Sequence, residues 1–365
     1  MGHGEVVEDA QVVIVDEGPG ISGSSFLATA EAIEAAGIDA RRIVMIGSRE
    51  PEVEGLRAPR GAERWRRFTF RSVSDRPLLP EGADQELGGG LWRRIVLTDF
   101  ENQPACWTQL ESSKYLSADK KILAKFHGFG HYGRVIEERA KKLGEAGFSP
   151  KPLGQVRGFG QYEFLPGRVL TQSDLSPRIV QRLAEYCSLR KEAFSTEESP
   201  HELETMANYN WECEFGEKLE DPIRLETEHR VIADGRMLPH EWLFTEDGRV
   251  LKTDAVGHGD DHFFPGPCDI AWDVAGTIVE WQMDDVASAE FVDHYRVLSG
   301  DDVRERLPEY VLAYAIFRMA WSKMAAQASA GQFDEALLMR DYRKYREMAM
   351  VGEKKRAGKV QAKVA

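Results

Sequence analysis

At 365 residues the chain has material for about two domains, each able to bury its own core. Hydrophobic residues make up 42% and charged residues 30% of it, which excludes a chain disordered throughout. The 61 acidic against 47 basic residues give a formal charge of −14, which repels phosphate backbones and argues against nucleic acid as a main partner.

The N-terminus MGHGEVVEDA has no positively charged region followed by an apolar core. No apolar run approaches the roughly 18 residues needed to cross a bilayer, so a cytoplasmic location and no membrane partner are expected. Cys106, Cys187, Cys213 and Cys268 are far apart with no C-x-x-C pair, so buried free thiols are expected and neither a zinc knuckle nor a disulfide framework.

The first element lies in QVVIVDEGPGISGSSFLATAEAIEAAGIDARRIVMIGS. VVIV and IVMIG are short apolar runs suited to buried strands, and FLATAEAIEAAG has helical spacing before a glycine stop. Residues 49–92 are rich in Pro, Gly, Arg and acidic residues, with a strand-like interruption at RFTFRSV, and predict an interdomain connection. From Arg93 the pattern predicts strands RRIVL and KKILAKF, a helix VIEERAKKLGEAG, and strands LGQVRGF and QYEFLPG. Beyond Ser173 it is mostly helical, interrupted by a hairpin VIADGRMLPHEWLF, EDG, RVLKTDAV. The last residues, EKKRAGKVQAKVA, predict a flexible basic tail.

VVIVDEGPGISGSS, an apolar strand, two acidic residues and a small-residue turn opening a helix, resembles the phosphoribosyl diphosphate loop of type I phosphoribosyltransferases. The resemblance implies that Asp16 and Glu17 contact ribose hydroxyls and that Ser22, Gly23, Ser24 and Ser25 cradle a phosphate at a helix N-terminus. Such an enzyme needs about a hundred residues before this loop, and only eleven precede VVIV. A remnant, a half-Rossmann anion-binding unit, or association with a separate phosphoribosyltransferase-like subunit are the readings this leaves open. A Gly/Ser turn chosen only for tight strand-helix geometry is the plain alternative.

The stretch KILAKFHGFGHYGRVIEERAKKLGEAGFSPKPLGQVRGFGQYEFLPGRVLT is similar to the small lobe of the aminoglycoside phosphotransferase and choline kinase group, relatives of the protein kinases. The resemblance implies ATP and Mg²⁺ as cofactors. Lys125 would hold nucleotide phosphates, Glu138, thirteen residues on, would hold Lys125 in place, and YEFLPG would take the adenine edge. The group carries H-G-D-x-x-x-x-N and a second aspartate about eighteen residues after the first. Here Asp254 falls at the metal-binding aspartate, and counting back eighteen residues reaches Arg236, with Asp234 at the histidine and Glu241 at the asparagine. Arginine cannot accept a proton, because its pKa lies above about 12. Glu241 remains a candidate Mg²⁺ ligand beside Asp254, and Asp269 in GPCDIAWDVAG would brace the catalytic loop.

In DAVGHGDDHFFPGP the HGDDH run copies the loop motif without its asparagine or its distant aspartate. Asp260 and Asp261, with His258 or His262, are nevertheless candidates for the ligand or base that the preceding loop lacks. His240, His258 and His262 match no helix-borne zinc spacing.

The expected fold is α+β: a two-lobed protein kinase-like domain preceded by a small, partial Rossmann-like segment. Its expected parts are an α/β unit over 1–60, a linker over 61–92, a small lobe over 93–172, a helical large lobe over 173–350 and a tail over 351–365. The expected function is ATP- and Mg²⁺-dependent phosphoryl transfer to a small polar metabolite, with a non-catalytic pseudokinase or a ribose-phosphate-binding protein as alternatives. Homo-oligomerisation stays open.

Overall fold

The structure, a computed structural model, describes residues 11–364 except Glu17, 20–21, 74–78, 98–102, 199–201, 258–262 and 265, and over 357–364 the backbone alone. The chain divides into two units, 1–79 and 80–365.

In the first unit β1 (Val12–Val15), β2 (Ile43–Gly47) and β3 (Thr69–Ser72) form a sheet in that order, with Val12 opposite Ile43 and Val44 opposite Thr69. Both pairings are parallel, so each needs a crossover: α1 (Ser24–Ala35) supplies the first and α2 (Gly61–Trp65) lies in the second. Phe26, Leu27, Ala30, Ile43, Met45, Trp65 and Phe68 make its core, and the Phe26 ring meets Trp65 and Phe70 edge-on at 5.8 Å. Residues 61–92 are therefore not a linker. Their first part completes this sheet and their last part opens the next one; β3 reads as connector because it is half-exposed and carries polar residues.

The second unit begins with β4 (Ala83–Glu86), a helical turn α3 (Arg93–Val96), β5 (Lys114–Ser117), β6 (Ile122–Phe126), α4 (Gly130–Glu145), β7 (Pro152–Val156) and β8 (Phe159–Glu163). The strands form one sheet in the order β4-β5-β6-β8-β7, every neighbouring pair antiparallel. RRIV, expected as a strand, is α3. Three glycines precede its entry, and Arg93 is drawn into a buried ion pair with Asp334 at 2.6 Å.

The chain continues through β9 (Gly167–Val169), α5 (Pro177–Ala193), α6 (Leu203–Phe215), β10 (Arg230–Val231), β11 (Trp242–Thr245), β12 (Val250–Lys252) and β13 (Cys268–Asp269). It ends with α7 (Ala271–Glu280), α8 (Asp285–Ser299), α9 (Leu307–Ala328) and α10 (Phe333–Val364). β11 pairs antiparallel with β12 and β9, forming the expected hairpin, and β10 pairs with β13. Helix α9 is apolar around most of its circumference and central to the core, with Tyr310, Tyr314, Ile316 and Ala325 all buried. The tail is not frayed: α10 runs through it, because Glu, Lys, Arg and Ala are strong helix formers.

Candidate functional site

A cleft of about 1750 Å³ opens in the second unit, lined by the β5-β6 face, α4, the segment after β8, the loop before β11, the end of β12 and the C-terminal helices. Its charged groups come from neighbouring strands. Lys114 and Lys125 are a directly opposed cross-strand pair on β5 and β6, so their side chains share one face. Both reach Asp254, just after β12: Lys125 Nζ is 2.5 Å from Oδ1 and Lys114 Nζ 3.8 Å from Oδ2. Glu111 takes Lys114 at 2.6 Å. Burial depresses the Lys125 ammonium, and the nearby Lys114 charge adds to this against the pull of Asp254. For Lys114, burial acts in the same direction but Asp254 and Glu111 outweigh it and raise the group.

The loop between β10 and β11 is shaped by what it buries. Met237 is fully buried and Asp234 nearly so, while Arg236 and Leu238 line the cleft. The backbone N–H groups of Asp234 and Gly235 each donate to the Asp273 carboxylate at 2.9 Å. Burial pushes the Asp273 carboxyl up to about 6, despite the opposing charge of Arg190. Arg190 on α5 donates to the carbonyls of Ala255 at 2.8 Å and Ile232 at 2.5 Å, stitching the segment after β12 to the residue that follows β10.

Asp273 is thus the brace that had been expected of Asp269. Asp269 instead accepts the N–H groups of Glu228, His229 and Ala271 and pairs with Arg306, so it secures the chain before β10. The motif DIAWD offers two aspartates, and only the tertiary fold tells which one faces the loop.

Arg236 places its guanidinium 5.2 Å from the centre of the Trp321 ring, and Arg318 stands 4.9 Å from the same ring. Glu241 closes the loop in a one-turn helix and is almost buried. Its carboxylate is 2.7 Å from the ammonium of Lys252, the last residue of β12, which is fully buried. Lys252 also lies 3.4 Å from Asp234 and donates to the backbone carbonyl of Asp254. Burial alone would lower the Lys252 ammonium, but Asp234 and Glu241 raise it overall, so it is a charged group. Tyr186 donates to Asp234 from the other side.

Of the expected site residues, the structure brings Lys125, Asp254, Arg236 and Glu241 to one cleft. Glu138 is exposed on α4, which contributes Val135, Ile136 and Arg139 to the lining, and the ion pair of Lys125 is with Asp254. The physical reason is phase along the helix: a residue one position from the inward-facing Arg139 is turned about 100° away. Asp260, Asp261, His258 and His262 lie outside the described residues. In the first unit Gly23 caps α1 at φ 65°, and a side chain there would meet Leu56 and Trp65 at 3.0 and 3.2 Å, so glycine is required for closure. Ser24 and Ser25 are exposed beside it, Ser22 accepts the Ser24 N–H at 3.2 Å, and Asp16 is exposed at the end of β1. Glu17 lies outside the described residues.

Sequence reasoning missed Lys114, Lys252, Arg190 and Asp273. A lysine two residues before an expected metal ligand, at the end of an apolar strand, was the one available signal. The connection between β4 and β5 was also missed: Trp92 stacks on His240 at 5.7 Å and 9°, and Trp107 stacks on Phe263 and meets Trp321 edge-on. The helical wall of the cleft carries Arg318, Arg340 and Lys344 beside Glu280 and Asp341, with Arg236 of the loop facing Trp321 on it, so the acidity of the chain as a whole does not make this wall acidic.

No protein-family model and no curated protein sequence matches the chain. Solved structures similar to it are choline/ethanolamine kinases and aminoglycoside phosphotransferases. The choline kinase LicA from Streptococcus pneumoniae has a TM-score of 0.47 at 12% identity over 66% of this chain and 89% of that one. A putative aminoglycoside phosphotransferase from Ralstonia eutropha has 0.47 at 13% over 72% and 95%. An aminoglycoside phosphotransferase from Alicyclobacillus acidocaldarius has 0.46 at 14% over 79% and 98%. At these values the likeness carries no activity and no residue role to this chain.

Proposed function

We propose that the protein binds ATP in the cleft of its second unit and transfers phosphate to a small polar metabolite. The observation that carries this reading is the Lys114-Asp254-Lys125 cluster, two ammonium groups on adjacent strands held by one carboxylate at the floor of a large cleft. Such a pair is a ready polyphosphate site, and phosphate oxygens taking Lys125 would release Asp254 Oδ1. Glu163, Phe164 and Leu165 line the edge where the adenine would sit.

The donor set fits one Mg²⁺ ion and not two. Asp254 suits one divalent ion once its lysines turn to phosphate, because it is a carboxylate with a fifth of its side chain exposed. Glu241 does not suit a second, because its carboxylate is already neutralised by a buried ammonium. A divalent ion held by Asp254 would supply positive charge to the phosphate groups. The chain's own residues bind and align the nucleotide: Lys125 and Lys114 hold phosphate, and Arg236 offers positive charge to the departing phosphoryl group. Because phosphoryl transfer passes through a loose transition state, positioning and charge matter most. The lack of a base at Arg236 would then cost about 10²- to 10⁴-fold rather than the whole reaction.

A second reading, a nucleotide-binding module without catalysis, is favoured by Arg236 and by the Lys252-Glu241 pair. A thermal-shift titration with ATP tests the premise both share. Lys125→Ala is expected to weaken the nucleotide by about 10- to 100-fold, the loss of one charged hydrogen bond. An unchanged shift in that variant, or no shift in the unaltered protein, removes the assignment. Phosphorus NMR of the protein with ATP and pooled amino alcohols, amines and sugars then divides enzyme from module: ADP and a new phosphate ester support transfer. For the first unit, stabilisation by phosphoribosyl diphosphate that disappears in Asp16→Ala would favour the ribose-phosphate reading.

A further inference from the structure

Lys252 is a fully buried lysine at the end of a strand whose other residues, Val250 and Leu251, are apolar and buried. An ammonium has three protons, and here each has an oxygen partner: Glu241 Oε2 at 2.7 Å, Asp234 at 3.4 Å and the Asp254 carbonyl. Glu241 is 8% exposed, and its backbone N–H donates to the Leu238 carbonyl. Thr253 binds the Glu241 carbonyl through both its N–H at 2.8 Å and its hydroxyl at 3.0 Å, so the end of the loop and the end of β12 form one rigid assembly. A hard divalent ion at Glu241 would need to displace a buried ammonium from the same carboxylate, with two like charges sharing one poorly hydrated pocket.

We propose that the Lys252 ammonium is a resident cation that occupies the place of a divalent ion at Glu241. The cleft then binds its nucleotide with Asp254, and not Glu241, as the carboxylate open to a metal ion. This deepens the nucleotide-site reading above and rests on it. Its chemical consequence is that the Glu241 carboxylate is neutralised from within before any polyphosphate arrives, so its negative charge does not repel the ligand in metal-free solution. A lysine-held site also cannot gain or lose this cation as metal concentration varies.

The experiment is a Mn²⁺ titration followed by electron paramagnetic resonance, on the unaltered full-length protein, Glu241→Gln, Lys252→Met and the double variant, without nucleotide. Glu241→Gln is expected to bind Mn²⁺ as the unaltered protein does. Lys252→Met is expected to gain a site at least about tenfold tighter than any in the unaltered protein, since an unpaired buried carboxylate recruits a hard cation. The double variant should lose that site. A tenfold or greater loss of Mn²⁺ affinity in Glu241→Gln alone, or identical binding in folded Lys252→Met, overturns the proposal. Where circular dichroism shows Lys252→Met unfolded, Glu241→Gln decides by itself. A parallel thermal-shift titration with ATP in EDTA and in excess Mn²⁺ keeps the two levels apart. Absence of a shift in both removes the nucleotide reading, while the Mn²⁺ titrations still decide the role of Lys252.

Discussion

Asp273 and His240 show how a single side chain near the cleft acts through burial. Asp273 holds two backbone N–H groups of the loop and faces Arg190, which is itself 1% exposed. Asp273→Ala would orphan both donors and leave a buried guanidinium short of its countercharge, so a loss of about 3 to 5 kcal/mol in urea unfolding is expected. Asp273→Asn, whose amide oxygen still accepts, should lose less. His240 is held at about 3, because burial disfavours its charged form and Lys252, Arg318, Arg93 and Arg236 repel it. His127 is likewise held at about 3, by burial and by Lys125. Between the ordinary histidine value of about 6.5 and that depressed value, the unfolded chain binds protons that the folded chain does not. The stability from these neutral imidazoles is therefore full above that ordinary value and is lost as pH falls toward the folded value. His240→Phe, which keeps the stack on Trp92, is expected to lose less melting temperature than the unaltered protein between about pH 7 and pH 4.5. An equal loss would show that His240 does not carry this dependence.

Elements are positioned by close approaches that only small residues permit. On α7, Gly276 faces Tyr314 of α9, and a methyl group there would come within 2.7 Å of the ring. The Tyr314 hydroxyl is fixed by Glu280 at 2.9 Å and Glu280 by Tyr345 at 2.6 Å, so the ring cannot simply swing aside. Gly276→Ala is expected to destabilise by about 1 to 3 kcal/mol through overpacking, read as a lower urea midpoint. At the start of α4 a methyl on Gly133 would lie 2.4 Å from the Gly128 carbonyl and 2.5 Å from the Gln155 amide, so the turn GFGHYG is shaped by packing as well as by dihedral freedom. Strand β6 was legible as the apolar run in KKILAKF, whereas β5, with the sequence KYLS, has no such run and was not foreseen. Nor was helix α3, because four residues of RRIV have no helical period to read, and a buried contact with Asp334 settled them.

At the level of the whole molecule, the two units have separate cores, one around Phe26 and Trp65, the other around Trp242, Trp272 and Tyr314. Every residue lining the cleft belongs to the second unit. Residues 80–365 expressed alone are therefore expected to unfold cooperatively and to keep the ATP-induced thermal shift within about threefold in affinity. Loss of that shift with the fold intact would mean that the first unit contributes to binding. Among the described residues no helix is long and apolar enough to cross a membrane.

The sequence by itself determined the elements with strong periods, the hairpin that precedes Asp254, and the inability of Arg236 to accept a proton, because these depend on local spacing and on side-chain chemistry that no fold can change. It also suggested a phosphate-binding lysine at Lys125 through the order of its neighbours. Only the tertiary structure decided which charges meet. Lys114 and Lys125 are eleven residues apart in the chain and directly opposed in the sheet, Asp273 rather than Asp269 faces the loop, and Lys252 rather than a free position faces Glu241. The reason is physical: a charge in a buried cleft is specified by its partner's distance and loss of water, and both are set by strands and helices far apart in sequence.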